Sequence, residues 1–180
     1  DVYNGATDSL KIALDGSIDL EDAQLRVYNA AQRSGGALAA STGLAGTFFD
    51  VFGAAGVQSV EAFSRSARLV ETVNKGLALG GKGAAANSAA LEQLVQGLQS
   101  ANIAGDELKS VLENSPALAK AIAQGLGVTV GELRKMGEEG QISSVKLIGA
   151  LESAADSIDA KCQYCDKTSR VWIRNQPLVD

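Results

Sequence analysis

Histidine is absent from this chain of 180 residues, which also holds only 2 cysteines, 2 prolines and 4% aromatic residues. Without imidazole there is no Ser-His-Asp triad, no Cys-His dyad, no helical zinc motif with two His ligands and no ordinary general base for neutral pH. Most hydrolase chemistry goes with it. Two cysteines are too few for a disulfide scaffold, and so few aromatics argue against sandwiches and barrels. Basic blocks are missing too. The net charge is −5 with a pI near 4.8, spread as −3 over residues 1–33, zero over 34–100, −3 over 101–161 and +1 over 162–180. Nucleic acid and anionic membranes reward clustered Lys and Arg, so neither is the expected partner. No secretory signal is read at the start, which favours an intracellular origin, and the opening at Asp1 reads as a piece of something longer.

What the chain does have is 29 Ala, 20 Leu and 20 Gly, the chemistry of helices punctuated by breakers. Almost nothing alternates with a period of two. Asp19 precedes Leu20, Leu25 and Tyr28, acidic Glu21 and Asp22 favour a first turn, and Gly35-Gly36 stops a helix over about 19–34. Residues 34–60 carry one charge, Asp50, which raises the question of a membrane span. The stretch is mostly Ala, Gly, Ser and Thr, and a central Asp costs roughly 2.5–3.5 kcal/mol on insertion. A buried helix is the better reading, with Leu44, Phe48 and Phe52 on one face. From Ser59 a long amphipathic helix carries Val60, Phe63, Ala67, Val70 and Leu77, ended by the glycines at 80, 81 and 83. The next carries Leu91, Leu94, Val95 and Leu98. Asp106 caps a short helix with Leu108, Val111 and Leu112, and Ser115-Pro116 starts another that Gly125 and Gly127 close. Thr129 with Glu132 forms a capping box ahead of a helix closed by Gly140. Ser143 opens the last, striped by Leu147, Ile148, Leu151, Ala155 and Ile158. The expectation is an all-α fold, a compact array of about seven or eight short-to-medium helices with little or no sheet. Residues 162–180, polar and without a helical stripe, read as a disordered or atypical tail behind a helical domain over 1–161.

Several motifs invite chemistry and fail on context. Gly76 to Gly83, GLALGGKG, matches a phosphate-binding loop up to its lysine, then puts Gly83 where Ser or Thr must ligate magnesium, and a charged helix precedes it instead of a strand. GLGVTVG at 125–131 is one residue too long for a dinucleotide fingerprint. Cys162 and Cys165 form a C-x-x-C pair, but zinc wants four ligands and the chain offers no second pair. Glu138 and Glu139 diverge by about 100° on a helix and cannot flank one bond. The strongest competitor is residues 117–137, where Ala123 and Gly127 have the spacing of a DNA-binding helix-turn-helix. Its second helix offers Glu132, Arg134, Lys135, Glu138 and Glu139, net negative where phosphates would sit, so a packing corner is the plainer reading. No catalytic, cofactor-binding or metal-binding residue is assigned, and no cofactor is expected.

The run from Leu94 to Asp159 closely resembles a domain found towards the N-terminal part of many bacteriophage and prophage tail tape measure proteins. GDELKSVLE, SPALAKAIAQGLGV, GELRKMGEEG and SIDA at 157–160 carry the match, and VYNAAQRSG, SVEAFSRSARLVETVN and ALGGKGAAANSAALEQLVQGL agree more loosely upstream. The resemblance spans about 1–161 and departs at Cys162. It implies a non-enzymatic structural role: a ruler in the lumen of the growing tail tube, whose length sets how many rings of tube protein assemble. Expected partners are the tail tube protein, tail assembly chaperones, tail tip proteins and a second copy of the chain, first in the bacterial cytoplasm and then in the virion tail. The alternatives are a DNA-binding regulator built on residues 117–137 and a membrane-interacting segment at 35–57 used during genome delivery.

Overall fold

A computed structural model describes residues 18–100 and 105–174, and places them in eight helices with no β-sheet among them. They are α1 (Leu20–Ser34), α2 (Leu38–Ala54), α3 (Ser59–Ala78), α4 (Ala84–Gln99), α5 (Gly105–Asn114), α6 (Pro116–Leu126), α7 (Val130–Glu138) and α8 (Ser144–Arg174). Local chemistry sets most of the boundaries. The Asp19 carboxylate accepts from the backbone N–H of Glu21 at 2.7 Å, Ser115 caps α6 ahead of Pro116, and Thr129 and Glu132 form the reciprocal box at the start of α7. Gly35 and Gly127 end α1 and α6 with φ of 69° and 71°, a conformation that costs other residues a clash at Cβ.

α2 is the centre. It has too little polar surface to face water, and Leu44, Ala45 and Phe48 are fully buried between α1, α3 and α4. Its Thr42 and Thr47 hydroxyls are buried as well, and donate to the carbonyls of Leu38 and Gly43 one turn back. α1, α2 and α3 run up, down and up, joined by short turns. α4 returns beside α2 and leads to α5, and α7 rests on α5 through Leu133 and Gly137. α8 lies against α6 and α3. Its contact with α6 is close: a Cβ on Gly125 would stand 2.5 Å from the carbonyl oxygen of Ala150. One apolar cluster draws on all eight helices, from Ala23 and Val27 to Leu151 and Ile158.

The stripes expected from sequence are buried in most places. Phe63, Val70, Leu77, Leu91, Leu94, Leu98, Leu108, Val111, Leu112 and the Leu147 to Ile158 face all lie in the core. Val60 does not. It is 71% exposed, because the buried side of α3 centres on Ser66, Leu69, Val70 and Val73, and Val60 sits about 120° around from it. Gly125 lies inside α6 rather than ending it, and Asp106 falls in the first turn of α5. The larger difference is at the end of the chain. α8 continues through Cys162, which is buried, to Arg174, where a tail was expected. No Gly or Pro interrupts the sequence between Gly149 and Pro177, so nothing local stops the helix. Residues 175–180, the rest of that expected tail, lie outside the described residues.

Candidate functional site

The densest polar arrangement in the described residues is a seam of ion pairs where α3 faces α8, with α1 at its edge. The Arg65 guanidinium binds Glu152 bidentately, Nε to Oε1 at 2.7 Å and Nη2 to Oε2 at 2.8 Å, and lies over the Phe52 ring with 4.3 Å to the centroid. Arg68 reaches Asp156 at 3.0 Å and Asp159 at 3.4 Å. Lys75 stands between Glu71 at 2.6 Å and Asp159 at 2.8 Å, and Glu71 also takes Arg33 of α1 at 3.0 Å. Burial alone would lower the Lys75 pKa, but the hydrogen bonds it donates to Asp159 and Glu71 outweigh it and hold the ammonium above its ordinary range. Arg65 is raised chiefly by its hydrogen bond to Glu152.

Chemically, this seam joins helices. Every carboxylate in it is matched by a cation, and exposed pairs such as Arg68 with Asp156 are worth at most about 1 kcal/mol. Among the described residues no group of three His, Cys, Asp or Glu is placed to hold a metal ion. Sequence reading missed the seam, although a signal was there: Arg65, Arg68 and Lys75 recur at helical steps on one segment, and Glu152, Asp156 and Asp159 on another. Elsewhere, burial raises the pKa of Asp50 on α2, and the Thr129 backbone and hydroxyl lower that of Glu132.

The motifs singled out in the sequence fall into packing roles. Gly76 is buried in α3 against Leu118, and Gly80 lies so near the Asn114 carbonyl that a Cβ there would meet it at 2.3 Å. Both therefore serve helix contacts, and neither belongs to a strand-to-helix phosphate loop. Gly127 is the C-cap of α6. Glu138 is exposed and Glu139 pairs with Lys135 on its own helix. Residues 117–137 do form a helix, a turn and a helix, but Leu133 and Gly137 of α7 are committed to α5. A crevice of about 440 Å3 between these two helices is lined by Leu108 and Leu112 with Asp106, Lys109, Glu113, Arg134 and Glu138, a mixed-charge mouth unlike a phosphate site. Residues 35–57 hold the core helix α2, and no helix among the described residues is long and apolar enough to cross a membrane. Cys162 lies on the buried side of α8, and the Cys165 side chain is outside the described residues.

A family model described as tape measure protein matches residues 1–170. The chain belongs to the tape measure protein family. No curated protein and no solved structure matches it. The family is a structural one of phage tails, consistent with described residues that fold into helices without a sheet. The match also runs past Cys162, where the resemblance in the residues stops, and covers most of the outer part of α8. That stretch of the tape measure chain is thus continuous with its domain in both sequence family and secondary structure.

Proposed function

We propose that this tape measure chain works by shape and contact: it is a helical module of the ruler that helps set tail length during assembly. The family match over residues 1–170 carries this reading. The fold supports it, since one apolar core and a self-satisfied ion-pair seam make a body suited to presenting helical surfaces. Those surfaces meet the tail tube protein, the tail assembly chaperones, the tail tip proteins or another copy of the chain, in the bacterial cytoplasm as the tail grows and then inside it. The compactness of the body adds a refinement. The described residues would span more than 200 Å as one continuous helix, at about 1.5 Å per residue, so the folded module is attached to the measuring rod and is not an extended length of it.

An in-frame deletion of residues 20–174 from the intact phage gene tests this, with tails measured by electron microscopy. Shorter tails are expected. A loss of the order of the continuous-helix length would mean that the module is drawn out in the tube, a smaller loss that it stays folded. Tails of unchanged length would refute a part in measuring.

A further inference from the structure

We infer that the chain passes through this body end to end, so that tension between its termini loads the α3–α8 seam in shear. The direction of the helices shows it. Arg65 pairs with Glu152, Arg68 with Asp156, and Lys75 with Asp159, so the numbers rise together and α3 and α8 run parallel. Arg33 pairs with Glu71, and Gly36 packs on Asn74 at the same offset along the chain, so α1 is parallel to them as well. That offset places Leu20 beside the start of α3, and the Arg65–Glu152 register places Ser144 there too. All three helices therefore begin at one end of the body. α3 has 20 residues and α8 has 31, so α8 outruns its partner by 11, about 16 Å of helix. The described chain enters at the foot of α1 and leaves from the far end of α8.

A pull on the two ends draws α1 one way and α8 the other, along their axes. Nothing peels turn by turn. The Arg65 fork on Glu152, the Lys75 bridge between Glu71 and Asp159, and the close seating of Ala150 on Gly125 must slip together. A pull that separates the top of α3 from the top of α8 would instead break the pairs that cross between them, Lys75 with Asp159, Arg68 with Asp156 and Arg65 with Glu152, one after another. The body is thus a direction-dependent clamp, firm along the chain axis and weak across it. This stands on the fold alone, and only its use in a tail under tension rests on the function proposed above.

Single-molecule force measurements on the 180-residue chain decide the matter. Axial loading uses tags at the two termini, and transverse loading uses one tag in the exposed turn at Gly81 and Lys82 and one at the exposed Lys161, which stands level with the end of α3. The expected result is a higher unfolding force axially than transversely. Under axial load, Glu152→Gln and Lys75→Met should each unfold roughly two- to fivefold faster than the parent. Lys135→Met, which removes an exposed pair on α7, should not. Equal forces in the two geometries overturn the clamp even if a seam variant fails to fold, and so do seam variants with the parent's axial rate. Because no tail is involved, failure here leaves the tail-length experiment to judge the ruler separately.

Discussion

Single residues in this fold matter most where two backbones nearly touch. Gly125 and Gly80 face neighbouring main chain, the carbonyls of Ala150 and Asn114, which cannot rotate away as a side-chain tip could. Gly43, in the interior of α2, has open space where its Cβ would be. The two kinds of glycine should respond in opposite directions. Gly125→Ala is expected to destabilise the chain by about 1–3 kcal/mol through overpacking, and Gly43→Ala to stabilise it by about 0.5–1 kcal/mol through helix entropy. Urea titrations of both variants at one pH would show it, and a shift of the same sign in both would contradict this account. Asn74 is another strict position. It is 97% buried, donates to the Ser41 hydroxyl at 3.0 Å, leaves its Oδ1 without a partner, and stands where any side chain on Gly36 would collide with it. It fixes the α1–α2 turn against α3.

The elements answer to a mixture of apolar stripes and the seam. Lys75 supplies the pH dependence of α3 on α8, and its sign follows from the raised pKa. A lysine held above its ordinary value of 10.5 contributes stability that is complete below that value and lost as the pH climbs through the higher folded one. The parent Tm should therefore fall more steeply than that of Lys75→Met as the pH is raised above 10.5, and parallel curves would show that the bridge contributes nothing. Much at this scale was legible in advance. Caps at Asp19, Ser115 and Thr129, and stripes such as Leu147 to Ile158, are local signals, and local physics decided them. Three features were not legible for the same reason reversed. Val60 has a helical neighbour's spacing but faces outward because partner helices choose the buried side. The outer part of α8 lacks an apolar stripe, yet nothing in its sequence stops a helix already begun. The Arg65–Glu152 seam joins segments 87 residues apart, a distance over which periodicity within one segment is silent.

At the scale of the whole described body, unfolding as one cooperative unit is the expectation. Its apolar cluster passes without a break from Ala23 in α1 to Ile158 in α8, so no subset of helices has a core of its own. Calorimetry should accordingly show one transition whose calorimetric and van't Hoff enthalpies agree, at roughly 0.7 kcal/mol per folded residue near 60 °C. Two resolved transitions would mean that α5 and α7 melt apart from the rest. The family was the easier property to read at this scale, because runs such as GDELKSVLE and GELRKMGEEG carry its resemblance and the family model matches residues 1–170.

The buried hydroxyls have a consequence for how such a chain can diverge. Ser34, Thr42, Thr47, Ser66 and Thr72 each donate to a carbonyl of their own helix, three or four residues back. None of them depends on a matching acceptor across an interface. Residues opposite them are free to drift among apolar types without stranding a polar group, so homologues should vary at those facing positions independently, with little pairwise covariation to betray the contact.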